Sequence, residues 1–364
     1  MKLNKLLIYI SILMFVIGCS KDSIHIIEPE ILIIYMAADN DLKENAILNL
    51  YEIAEGIIEG QKVIIYIDKG DNESYLLEIN SSKETSLYKH IVKTYPDYNS
   101  ADNKTLNKVL TDVITKYPAD EYGLILWSHG TSWLTQTELQ RKSFGIEKQS
   151  TIEIDELSNA LPLKFKYILF DACLMGSIEV ASELKKNTKY LVASPTDILT
   201  TGMPYKKIIP ILLDADKHIK ERLEDVCKTY IQHYKEGKNK SAAIALYDLE
   251  KIELVEANFK EILTKNQETK IRSTDIKKFH TEQPCYDFAD MVKVNFGDEA
   301  YNRLIKSLSN FIIFQDHTNF FLRKLCLKET SGISCYISDG SSKKRDIFYH
   351  KLRWNKATQY NKYF

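Results

Sequence analysis

The chain has 364 residues, with 49 basic against 50 acidic side chains and a formal net charge of −1. That balance argues against a nucleic-acid partner, which needs an excess of Lys and Arg to neutralise phosphates. A hydrophobic fraction of 44% with 13 Gly and 8 Pro excludes disorder and collagen-like sequence, and six Cys are too few for a disulfide scaffold of this length.

Lys2 and Lys5 precede an apolar run from Leu6 to Ile17. The run is shorter than the about 20 residues that span a bilayer. It fits the apolar region of a secretory signal. It ends in Val16-Ile17-Gly18-Cys19. A small residue just before a Cys at this place resembles the lipobox of bacterial lipoproteins. The resemblance implies loss of residues 1–18, lipidation of Cys19 and a membrane as partner. The expected location is the cell envelope, on the outer membrane, with the side left open. An ordinary signal peptide and a buried N-terminal helix are the alternatives. Residues 19–30 read as a tether.

Ile31 to Met36 is a continuous apolar, largely β-branched run, as expected for a strand buried on both faces. Leu42, Ala46, Leu50, Ile53 and Ile57 then recur at helical spacing, and Gly60 closes the helix. Val63 to Ile67 is the next strand, joined through Gly70-Asp71-Asn72 to a paired strand from Ser74 to Ile79. A second helical stripe runs from Leu106 to Tyr117 and stops at Pro118. Gly123–Trp127, Phe165–Phe170 and Tyr190–Ala193 are three further strands. This rhythm predicts a mainly parallel α/β sheet covered by helices on both faces. The core is expected over residues 31–212. A packed C-terminal subdomain, 213–364, follows with helices near Ile219–Tyr234, Leu249–Leu263 and Tyr301–Phe311 and strands at Ala242–Tyr247 and Gly332–Ile337.

Two of these strands end in reactive residues, Ser128-His129-Gly130 and Asp171-Ala172-Cys173. Ligands bind beyond the carboxyl ends of strands in such sheets. If the two strands are neighbours, an imidazole and a thiol share one crevice. A helix predicted from Met175 to Lys186 would set Cys173 at its N-terminus and favour the thiolate. Gly130 lets the backbone approach a substrate carbonyl, and its N–H with that of Cys173 would form an oxyanion hole. A lone Cys at a strand end is more often a small buried hydrophobe, and a lone His a structural residue. Spacing alone leaves both readings open.

Local signatures add to the pattern. Tyr35-Met36-Ala37-Ala38-Asp39-Asn40-Asp41-Leu42, Trp127-Ser128-His129-Gly130, Asp171-Ala172-Cys173-Leu174-Met175 and Val192-Ala193-Ser194-Pro195 through Gly202-Met203-Pro204-Tyr205 occur in one order. Together they resemble the clostripain family of cysteine peptidases, in the caspase, legumain and gingipain clan. Tyr286-Asp287-Phe288-Ala289-Asp290 and the Gly332 strand continue the likeness. The resemblance implies a caspase-like α/β/α sandwich with a C-terminal helical and strand extension. It also implies a Cys173–His129 dyad acting on peptide or protein substrates, as a monomer. Relatives that cleave after Arg or Lys carry acidic pocket residues. One matches Asp171, whereas the other position is Thr201, with Asp197 nearby as a substitute. Basic-residue specificity is therefore one option and an apolar pocket another. Some relatives mature by cleavage between His and Cys, where Arg141, Lys142 and Lys148 stand here. Some require calcium, for which Asp39-Asn40-Asp41 offers too few oxygens alone. Support of the active site and helix capping are the expected uses of that segment, and no metal site is assigned. Cys227, Cys285, Cys326 and Cys335 are read as disulfide partners or buried thiols. A catalytically silent surface-binding lipoprotein and a hydrolase of non-peptide amides are the rival functions.

Overall fold

The structure is a computed structural model that describes residues 27–80, 87–134 and 143–364. Its strands are β1 (Glu28–Ala37), β2 (Val63–Asp68), β3 (Glu73–Ile79), β4 (Ile91–Pro96), β5 (Ala119–Trp127), β6 (Phe144–Glu147), β7 (Ser150–Ile152), β8 (Phe165–Asp171), β9 (Thr188–Ala193), β10 (Ala243–Asp248), β11 (Cys285–Asp287), β12 (Ile312–His317), β13 (Phe320–Phe321), β14 (Leu325–Cys326) and β15 (Ser334–Tyr336). The helices are α1 (Lys43–Gly56), α2 (Asn103–Lys116), α3 (Ile154–Ala160), α4 (Ile178–Glu183), α5 (Tyr205–Leu212), α6 (Ile219–Glu236), α7 (Ile252–Lys265), α8 (Phe288–Phe311), α9 (Lys343–Tyr349) and α10 (Arg353–Thr358).

Nine strands form one sheet in the order β12-β10-β9-β8-β5-β1-β2-β3-β4. The five central strands, β9 to β2, are parallel. Antiparallel pairs extend the sheet at both edges. Strands from both sides of residue 212 thus share it. The apolar runs of β1, β2 and β5 are buried on both faces because helices cover both. Ile33, Leu124, Ile168 and Leu191 face a core filled from α2, α4, α7 and α8. Ile34, Ile125, Leu169 and Val192 face a second core filled from α1, α5 and α6. The expected α/β/α sandwich is what the chain adopts.

Differences from the sequence expectation are local. The helix expected from Met175 begins only at Ile178, with Ser177 as N-cap accepting from the Val180 N–H. Residues before it are held instead by the neighbouring loop: Leu174 N–H donates to Thr196 O and Gly176 N–H to Ser194 O. Cys173 therefore lies in a turn well before the helix, without the end-charge of a helix beside it. The helix expected at Tyr301 starts earlier, at Phe288, and carries a kink at Gly297. Among the described residues no helix is long and apolar enough to cross a membrane.

Candidate active site

β5 and β8 are hydrogen-bonded neighbours, with Trp127 opposite Asp171. His129 and Cys173 each follow two residues later. Sheet register therefore delivers both to the same edge. They line one cavity of about 380 Å³ together with Leu42, Asp171, Asp197, Leu199, Thr201 and Phe321.

The turn that carries Cys173 is strained. Leu174 has φ of 63°, a left-handed conformation that bulky residues rarely adopt. Its side chain is buried and its N–H is fixed by Thr196 O, so packing holds what the backbone alone would avoid. The turn brings the peptide of Cys173 against Gly130. A Cβ at position 130 would lie 2.6 Å from Cys173 O and 3.1 Å from Cys173 N. Only glycine fits between the two motifs.

His129 Nε2 meets Asp41 Oδ1 at 2.6 Å. An ionised carboxylate only accepts, so Nε2 carries the proton and Nδ1 is left as the basic nitrogen. Asp41 comes from the segment between β1 and α1, where Asn40 Oδ1 accepts the Leu42 N–H. The Asp39–Asp41 segment thus supports the imidazole, one of its two expected uses. The other fails, because Leu42 occupies the N-cap of α1 without a side-chain cap bond.

The Cys173 thiol is half-buried and engages the loop after β9. Ile198 N–H donates to Sγ at 3.2 Å, and Ile198 O lies 3.6 Å away. Burial, and then the nearby Asp197 carboxyl, push the thiol up to about 12. Sulfur is therefore protonated at neutral pH and needs a base.

Asp171 is buried at the cavity wall. Its Oδ2 accepts from Met203 N–H at 3.1 Å and Tyr205 OH at 2.8 Å. Burial pushes its carboxyl up to about 6, against those two hydrogen bonds. Behind it Glu52 accepts the Tyr205 N–H at 3.2 Å, and burial raises that carboxyl too. Thr201 is exposed, with Oγ1 at 2.9 Å from Tyr234 OH. Asp197 lines the same cavity as Asp171. It lies beside the thiol and faces His280, whose Nε2 is 3.5 Å from Oδ2.

Sequence reasoning missed His280, Asn239, Phe321 and Leu322, which come from the C-terminal part. None has a motif around it. Cys19, Arg141 and Lys142 lie outside the described residues. Lys148 is exposed in the turn between β6 and β7. No cluster of three or more metal-ligating side chains exists among the described residues. Cys227, Cys285 and Cys335 are buried free thiols and Cys326 an exposed one. Cys285 pairs across β11–β15 with Tyr336, and Cys335 with Tyr286, so the two sulfurs leave opposite faces of that ribbon.

The profile of the clostripain family matches residues 34–351. The chain belongs to the clostripain family. It is a cysteine peptidase, with peptides or proteins as substrates. A secreted C11 cysteine protease from Bacteroides thetaiotaomicron, solved with an irreversible peptide inhibitor, superposes with a TM-score of 0.79 at 23% identity, covering 92% of this chain and 99% of that one. An inactive zymogen C11 protease from Parabacteroides distasonis has the same TM-score and coverage at 26% identity. No curated protein sequence matches at a significant level.

Proposed function

We propose that this peptidase is an endopeptidase that uses Cys173 and His129 as a dyad, prefers a basic residue before the scissile bond, and is anchored to a membrane through Cys19. The observation that carries the catalytic part is the shared cavity at the ends of β5 and β8. His129 Nδ1 takes the thiol proton, and Sγ attacks the peptide carbonyl carbon. Negative charge on the carbonyl oxygen is met by the N–H groups of Gly130 and Cys173. The imidazolium returns its proton to the leaving amine, and water then hydrolyses the thioester. Asp41 keeps the imidazole in the tautomer this requires, as the third member of a triad does.

Asp171 supports the basic preference. Leu42, Leu199 and Phe321 suit the methylene stem of Lys or Arg, and the carboxylate suits its charged end. The signal-like N-terminus ending in Gly18-Cys19 supports the anchor.

The test is hydrolysis of fluorogenic peptides bearing Arg, Lys or Ala at the cleavage position. Cys173→Ala is expected to abolish turnover, and Asp171→Asn to lower kcat/KM for the basic peptides about 100-fold while sparing the Ala peptide. Turnover that survives Cys173→Ala refutes the dyad. An unchanged Arg-to-Ala ratio in Asp171→Asn refutes the pocket.

A further inference from the structure

Cys173 is flanked on a second side by Asp197 and, behind it, by His280, which no motif marks. His280 Nδ1 accepts two backbone N–H groups, from Glu282 at 3.0 Å and Gln283 at 2.9 Å. An imidazole nitrogen that accepts carries no proton, so the proton of His280 is on Nε2. Nε2 faces Asp197 Oδ2 at 3.5 Å. Asp197 in turn lines the same cavity as the Cys173 thiol, and the next residue, Ile198, donates its N–H to Sγ at 3.2 Å. Backbone of the 280–283 turn, imidazole, carboxylate and thiol thus form one relay. It runs from the C-terminal part of the chain to the turn after β8.

We propose that His280 and Asp197 are positioning residues that hold the Cys173 thiol from the side of the 194–202 loop and govern how readily its proton leaves. The inference rests on Cys173 being the nucleophile. The S–H donates to Ile198 O at 3.6 Å, and the Asp197 carboxyl nearby repels the thiolate that would replace it. His280 offsets that repulsion, because its Nε2–H draws on the same carboxyl and lowers its basicity. The thiol proton passes to His129 only against Asp197, and more easily the more firmly His280 holds Asp197. The titratable groups facing the thiol are Asp197, Asp171 from the end of β8, Tyr230 from α6, and His129 across the cavity. Cys285 of β11 faces Asp197 from beyond. Removing either member of the pair therefore shifts the thiol in a defined and opposite sense.

The experiment is alkylation of the full chain by iodoacetamide between pH 6 and 11. The Cys173 peptide is followed by mass spectrometry, so that Cys326 does not interfere. Asp197→Asn is expected to react at least tenfold faster at pH 7.5, since a thiol one unit lower is tenfold richer in thiolate. His280→Gln is expected to react more slowly at the same pH. Both variants reacting faster would mean a loosened loop and would overturn the proposal, as would unchanged rates across the pH range. Alkylation needs no proteolysis. Loss of the peptidase reading in Cys173→Ala and failure of this relay are therefore separate results.

Discussion

Gly130 has no room for a side chain. The obstacle is the Cys173 carbonyl at 2.6 Å, which is backbone and cannot swing aside. Gly130→Ala must push the two motifs apart and spoil the geometry of both N–H groups. An oxyanion donor is worth about 100-fold or more in kcat. A loss of that size is expected in peptide turnover, with circular dichroism unchanged. Asp171 adds a pH signature. Its carboxyl, raised to about 6, is charged above that pH and neutral below it. The proposed preference for Arg over Ala peptides should therefore fall as pH drops through 6, read as the ratio of kcat/KM values. Glu179 acts on stability instead. It is fully buried, its Oε1 accepts the Tyr336 N–H at 2.9 Å, and burial pushes its carboxyl up to about 7. The unfolded chain ionises Glu179 near the ordinary value, so the folded state binds the proton more tightly. Stability is then lost as pH rises from about 4.5 to 7, by up to roughly 3 kcal/mol. Glu179→Gln should raise Tm at pH 8 and flatten the Tm profile over that window in thermal melts. That His129, Cys173 and Asp171 share one end of the sheet was legible in the sequence, because each stands at or just past the end of an apolar strand within a motif. Asp41 was legible as support of the site but not as the partner of one particular nitrogen. His280 was not legible, since its relation to Asp197 exists only after the chain has crossed the sheet.

Elements were legible where one apolar pattern spans the whole element. β1, β2, β5 and β8 are buried on both faces and read as unbroken runs. Edge strands carry no such signal. β12 continues without a break from α8, and its residues are only half-buried, so Ile312–His317 carries no strand pattern and was not read as one. The short helix α4 was placed too early because the apolar residues Leu174 and Met175 are buried in the turn that precedes it. In α8 only the second half was read. Gly297 splits the element, with φ 82° and ψ −179°, a region essentially confined to glycine. Open space surrounds its Cα, so a methyl group meets nothing and backbone strain alone remains. Gly297→Ala is expected to lower stability by about 1–3 kcal/mol in urea titration. Catalytic activity should be unaffected, because α8 does not line the cavity.

At the scale of the molecule, the sandwich fixes which end does what. Described residues begin at Ile27, and β1 starts at Glu28, at the amino ends of the parallel strands. The cavity opens at their carboxyl ends, past Trp127 and Asp171. Cys19→Ser should release the protein from membranes into the soluble fraction, measured by detergent phase partition. With Cys19 as the anchor, residues 19–27 reach about 30 Å at most. A nine-residue strand such as β5 adds about 30 Å more between the tethered end and the cavity. Under the proposed anchor, a body held by the amino-end side of its sheet would turn its cavity away from the lipid, toward chains that stand clear of the bilayer.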